Sequence, residues 1–236
     1  MTLREQIVRG KEDLDRVYEA GQQAEYDRFW DKFLQNGTRT DYRYTEAGVF
    51  HGAVWGFENF FPKYDITPVG DASYLFYQWK ESGDGDLAKR FRDCGSSLDT
   101  SGTTKLSQAF YQSHIKTIPT IDATSITDSV NGIFEYWEVG ESIEKIIVTE
   151  TTPVTRWFVR CWELQNLEIE GTIGESGLNI SWSTKLSHDS LMSIINALKD
   201  YSSTTSTWTA TLGTENLAKL TDAEKAIATQ KGWTLA

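Results

Sequence analysis

A phenylalanine recurs at a fixed step along the second half of this chain. Leu106, Val130 and Val154 lie 24 residues apart, as do Phe110, Phe134 and Phe158, and each aliphatic precedes its phenylalanine by four. Such a period constrains the fold more than local propensity does, because a unit this short buries its apolar face only by stacking on its neighbours. Residues four apart share a face of one short helix or turn, and a strand is expected to follow. Ile143-x-x-Ile146-x-Val148 and Leu164-x-x-Leu167-x-Ile169 share one pattern, Ile115-x-x-Ile118-x-x-Ile121 is a looser version, and the last two hydrophobics of the pattern alternate as a strand with one buried face requires. Upstream, Ala72 and Phe76 repeat the aliphatic-to-Phe step, with Leu98 as the matching strand after an insertion from Glu81 to Arg92. Downstream, Leu178-Asn179-Ile180-Ser181-Trp182 reads as a further strand.

The rest of the composition allows a sizeable core: 236 residues, 39% hydrophobic and 13% aromatic, which excludes disorder for most of the length. Lys and Arg total 23 against 34 Asp and Glu, a formal charge of -11 that repels phosphate backbones and makes nucleic acid a poor partner. No stretch approaches the roughly 18 apolar residues of a membrane span, and Met1 to Gly10 carries Arg4, Glu5 and Arg9 where a secretion leader would be apolar. Neither membrane insertion nor secretion by a signal of its own is expected. Cys94 and Cys161 are far apart without a C-x-x-C partner, which suits reduced thiols better than a disulfide or a zinc site.

Three regions follow from the shifts in composition. Residues 1–37 read as a long amphipathic helix, with Leu3, Ile7, Leu14, Val17 and Ala24 on one face together with Gly10 and Gly21. Glycine in a helix interior costs about 1 kcal/mol against alanine, so glycines on the apolar stripe fit close approach of another helix. This face is expected to oligomerise the chain or anchor it to a larger assembly. Residues 38–70 form an aromatic connector with Phe50, Trp55, Phe57, Phe60 and Phe61, interrupted by Pro62 and Pro68. Residues 71–236 hold the repeats and a helical C-terminal cap, in which Ser187 opens a helix carrying Leu191, Met192, Ile195 and Leu198. A strand around Trp208 comes next, and Thr221-x-x-Glu224 is a capping box for a last helix that Gly232 closes before a WTLA strand.

The repeat pattern resembles leucine-rich-repeat solenoids of the surface-antigen type. Its implied fold is α/β: a short solenoid of strand plus turn or short helix per repeat, preceded by the long N-terminal helix. The stretches TKLSHDSLMSIINALKD and NLAKLTDAEKAIATQKGWTLA, with YEAGQQAEYDRFWDKFLQNGTR and FFPKYDI near the start, are similar to short leucine-rich-repeat proteins encoded by phages and prophages of gut Firmicutes. That resemblance implies a virion structural protein, tail- or fibre-associated, assembled in the host cytoplasm. Its N-terminal helix would contact other virion proteins and its repeats a bacterial cell-surface protein or glycan. A capsid or tail decoration protein that binds only virion components is the alternative within the binding class. The group has no firmly shared catalytic motif to carry over, and no cofactor or metal is expected for this chain.

From the residues themselves, chemistry is weakly signalled. His51, His114 and His188 lack cysteine or carboxylate neighbours at metal-ligand spacing, and phosphate-loop, dinucleotide and esterase motifs do not occur. Glu168 and Glu170 on one strand face, with Glu138 and Glu141 in the preceding turn, leave a cell-wall or polysaccharide hydrolase as the enzymatic alternative. Surface recognition has more support. After the repeated phenylalanine come Tyr111, then Tyr136-Trp137, then Arg160-Cys161-Trp162, and aromatic and arginine side chains dominate binding hot spots and stack on sugar faces. These five, Tyr111, Tyr136, Trp137, Arg160 and Trp162, form a candidate contact patch, unless Trp137 and Trp162 fill the core instead.

Overall fold

The computed structural model describes Pro68 and residues 70–78, 85–95, 97–128 and 132–236. The expected N-terminal helix with its association face of Leu3, Ile7, Gly10, Leu14, Val17, Gly21 and Ala24, the aromatic connector up to residue 67 and Val130 of the repeat lie outside the described residues.

Among the described residues the elements are short. They run β1 (Gly70–Asp71), α1 (Leu87–Cys94), β2 (Thr103–Lys105), β3 (Thr117–Ile118), β4 (Ile121–Asp122), β5 (Ser142–Val148), β6 (Asn166–Gly171), α2 (His188–Ala197), β7 (Trp208–Ala210), α3 (Thr214–Leu217), α4 (Asp222–Gln230) and β8 (Trp233–Leu235). Every strand pair is parallel: β1 with β2, β7 with β8, and a central sheet in which β5 carries β3 and β4 on one edge and β6 on the other. Pro119 lies between β3 and β4, and a residue without an N–H cannot carry a ladder through.

The expected fold class is therefore corrected. The described residues form three small parallel sheets and a few short helices, and they show neither a long helix nor a leucine-rich-repeat solenoid. Two physical causes are visible. The segment between Leu106 and Phe110 is a turn, because Gln108 sits at φ 52°, in the left-handed region that no helix of L-residues sustains. The strand register also differs from the shared pattern. That pattern equates Ile143 with Leu164, a step of 21, whereas β5 and β6 pair Ile143 with Leu167, a step of 24, and Ile146 with Ile169 after a shift in register. Leu164 is fully buried before β6 begins, and so mimics a strand position.

The periodic phenylalanines do meet. Phe76, Phe110, Phe134 and Phe158 form one row of stacked rings, with successive centroids 5.1, 5.6 and 5.6 Å apart, all at most 1% exposed. Backbone bonds hold the turns over one another: Phe76 N–H donates to Ala109 O at 2.7 Å, Phe110 N–H to Ile133 O at 3.0 Å and Phe134 N–H to Trp157 O at 3.1 Å. Glu135, 2% exposed at its side chain, is neutralised by an ion pair with Arg156. The insertion supplies α1, whose N-terminus is capped by the Asp86 carboxylate and whose C-terminus closes on Gly95 at φ 65°.

The outer edge of β6 is covered by a helix. Leu167 N–H donates to Ser190 Oγ at 2.9 Å and Ile169 N–H to Ser193 Oγ at 2.8 Å. The same hydroxyls donate to the carbonyls of Gln165 and Ile169. Two serines of α2 thus take the bonds that another strand would have made, which removes an edge open to pairing with other chains. At the C-terminal end, Ser187 accepts from Ser190 N–H to cap α2. Thr221 and Glu224 form the reciprocal capping box of α4, and Tyr201 stacks on Trp208 at 4.3 Å.

One contact between these helices depends on pH. His188 Nε2 lies 2.8 Å from Glu224 Oε1, with Asp189 3.6 Å from Nδ1. The hydrogen bond to Glu224 holds the His188 pKa above its usual value. Hydrogen bonds from Thr221, then from His188, hold Glu224 below its own. Histidine ordinarily titrates near 6.5 and glutamate near about 4.3. The His188 contribution is complete below its unfolded value and is lost as pH rises through the raised folded one. That of Glu224 is complete above its unfolded value and is lost as pH falls through the lowered one. The His188→Ala variant should therefore lose most melting temperature, relative to the parent, between about pH 4.3 and 6.5. A difference in melting temperature that stays flat from pH 4 to about 9 would refute this assignment.

Candidate functional site

The stacked turns carry a second periodic feature, on their outer side. Gln78, Gln112, Tyr136 and Arg160 all lie at φ between 51° and 60°, at steps of 34, 24 and 24 residues. Their backbones follow one another through the turns, with Gln78 N–H bonded to Tyr111 O and Tyr136 N–H to Val159 O, both at 2.7 Å. A left-handed residue reverses the side-chain direction of the turn, so one side chain emerges while the next turns inward. At Tyr136 and Arg160 this places the phenol and the guanidinium outside, and Trp137 and Cys161 inside.

Four of the five expected contact residues come together as a row. Tyr77 stacks on Tyr111 with centroids 4.8 Å apart and planes within 5° of parallel, and Tyr111 meets Tyr136 at 5.1 Å. The Arg160 guanidinium lies 4.7 Å from the Tyr136 centroid and 5.9 Å from that of Trp162, within cation–π range on both sides. Trp162 is 39% exposed. The fifth residue does not belong to the row. Trp137 is fully buried among the phenylalanines, and its indole N–H donates to Ile115 O at 2.6 Å, so it is a core residue whose polar atom is satisfied. Cys161 is likewise buried, its thiol pKa raised by that burial, which makes it unreactive.

Beside the row opens a cleft of about 350 Å³ lined by Gln78, Gln112, Ser113, His114, Tyr136, Glu138 and Val139. Gln78 Nε2 donates to Gln112 Oε1 at 2.9 Å, so the two amides form a short ladder parallel to the tyrosines. Tyr111 has its pKa raised, by burial first and then by the neighbouring Tyr77 and Tyr136, and it presents a neutral ring at ordinary pH. Gln78, Gln112 and His114 are not among the contact residues expected from sequence. The glutamines had a signal, since each follows a tyrosine directly in the same part of its unit; His114 had none. Trp182, expected in a strand, instead lies in a turn and is 43% exposed.

The carboxylates proposed for hydrolysis are arranged differently from a catalytic pair. Lys145 Nζ lies 3.2 Å from Glu168 and 2.6 Å from Glu170, and its own pKa is raised by hydrogen bonds to Glu170 and then Glu168. A glycosidase pair must flank a scissile bond with room for substrate or water between its carboxyls, whereas one ammonium engages both here. Glu141 pairs with Lys116 at 2.8 Å. Among the described residues no three His, Cys, Asp or Glu side chains converge as metal ligands would, and no helix is long and apolar enough to cross a membrane.

No protein family, curated protein or solved structure matches this chain. The likeness to phage-encoded proteins rests on the quoted residues alone.

Proposed function

We propose that this chain is a non-catalytic recognition protein that attaches to a bacterial cell surface through the row Tyr111, Tyr136, Arg160 and Trp162. The observation that carries the reading is the row itself: side chains of the classes favoured at binding hot spots, held side by side by stacked turns and partly open to solvent. Rigid aromatic rings lose little conformational entropy on binding, and the turns beneath fix their spacing. In the setting that the resemblance suggests, the chain is displayed on a phage particle. Several copies then engage the host together, so that weak single contacts sum through high effective concentration.

The test is attachment of the fluorescently labelled full chain to a panel of gut Firmicutes, read by flow cytometry. Loss of one hot-spot aromatic commonly costs about 2 kcal/mol or more, so Trp162→Ala and Tyr111→Ala should each weaken attachment by roughly tenfold or more. Attachment that survives in the double variant would overturn the reading. Immunogold labelling of intact particles tests the virion setting separately: gold at the tail or on projecting fibres is the expected result.

A further inference from the structure

Charge pairing singles out Arg160. With 34 acidic against 23 basic residues, carboxylates are in excess, and the described cations find partners. Lys105 pairs with Asp128, Lys116 with Glu141, Arg156 with Glu135, Lys185 with Glu163 and Lys199 with Glu150. Lys219 and Lys231 donate to backbone carbonyls. Among the described residues Arg160 makes no ion pair and no hydrogen bond; it is held by the faces of Tyr136 and Trp162 alone. The rings flank the guanidinium and leave its N–H donors uncommitted. Its backbone, at φ 60°, is a conformation that costs a residue other than glycine or asparagine about 1 to 2 kcal/mol.

We infer that the row and its cleft bind an acidic glycan, with the anionic group on Arg160. This rests on the recognition reading above and specifies its ligand class. A planar guanidinium pairs in bidentate fashion with a carboxylate or a phosphate. The exposed ring of Trp162 offers a face for the apolar side of a sugar, and Tyr111, stacked between Tyr77 and Tyr136, offers its edge. The cleft that shares Tyr136 with the row supplies amide and imidazole groups from Gln78, Gln112 and His114 for ligand hydroxyls. A peptide would need apolar anchor pockets, whereas Val139 is the one aliphatic side chain of this lining. Glu138 also lines the cleft, so the anion belongs at the Arg160 end and the neutral part of the chain in the cleft. The net charge of -11 opposes the approach of an anion only weakly at physiological ionic strength, where the screening length is about 8 Å.

The experiment titrates the full chain by calorimetry with oligogalacturonate, with its methyl ester, in which the carboxylate is neutralised, and with an oligomer of glycerol phosphate. The acid should bind at least roughly tenfold tighter than the ester, and in Arg160→Asn the affinities for acid and ester should converge. Asparagine tolerates the left-handed backbone, so the turn persists, and an unchanged melting temperature verifies it. Arg160→Lys keeps the charge without the planar fork and should fall between the two. Tighter binding of the uronate identifies a carboxylated glycan and tighter binding of the glycerol phosphate a phosphate-bearing one; both support the inference. Equal affinity for acid and ester, binding of none of the three probes, or a preference retained in Arg160→Asn would overturn it. If one of these results accompanies cell attachment that still depends on Trp162, the inference alone fails; if Trp162→Ala leaves attachment intact, the recognition reading fails with it.

Discussion

The Gly132→Ala variant is expected to lose about 3 kcal/mol or more of stability, enough to leave much of the chain unfolded or aggregated on expression. A β-carbon built on Gly132 would lie 1.9 Å from the Arg156 carbonyl oxygen, 2.4 Å from its carbonyl carbon and 2.7 Å from Trp157 Cα. These are main-chain atoms of the turn stacked on Gly132, so no side-chain rotation relieves the clash. The two turns would have to separate. That would strain the bond from Phe134 N–H to Trp157 O and the ring contact between Phe134 and Phe158, centroids 5.6 Å apart. Gly95→Ala is the control, because Gly95 has a left-handed φ of 65° but nothing within 4 Å of the added carbon. Its cost should be the conformational one alone, about 1 to 2 kcal/mol. Urea denaturation of the two variants measures both figures. A Gly132→Ala midpoint at or above that of Gly95→Ala would show that the turns are not stacked this closely.

Truncating the centre of the phenylalanine row should be as severe. Phe134 has no exposed surface. It lies between Phe110 and Phe158 and also touches Trp137 at 5.8 Å and Trp157 at 6.5 Å between centroids. Removing a ring enclosed on this many sides loses its transfer free energy and leaves a cavity that rigid aromatic neighbours cannot refill. Phe134→Ala is therefore expected to cost about 3 to 5 kcal/mol. Phe134→Leu, which restores most of the volume, should cost markedly less. The denaturant midpoint of each variant checks this, and an alanine variant within about 1 kcal/mol of the parent would contradict the packing described.

Features of the chain that depend on local chemistry or on buried periodicity were readable from sequence. The 24-residue step of Phe110, Phe134 and Phe158 survives as direct ring stacking because an inward side chain repeats with the backbone that carries it. Ser187 and Thr221 were legible as helix caps because a cap is formed within four residues. The fold class was not legible. Hydrophobic spacing indicates what must be buried, but not that Pro119 divides one strand into two or that the sheets are separate. Nor does it show that Leu164 is buried outside a strand. The site was half legible for a related reason. Tyr136 and Trp137 are adjacent aromatics, and which of them faces solvent is decided by the left-handed φ at Tyr136, a conformation that tyrosine does not advertise. The same reversal separates Arg160 from Cys161.

The closure of β6 by α2 also sets a clock on synthesis. The N–H groups of Leu167 and Ile169 find their acceptors only in Ser190 and Ser193, 23 and 24 residues later in the chain. At about 5 to 20 residues per second, a ribosome needs roughly 1 to 5 s to make that stretch. During this interval the strand is a bare parallel edge carrying Leu167 and Ile169, able to pair with another nascent chain of the same kind. Slowing translation across this stretch would lengthen the exposure, and losing the two hydroxyls would leave both N–H groups without these acceptors even once α2 is in place.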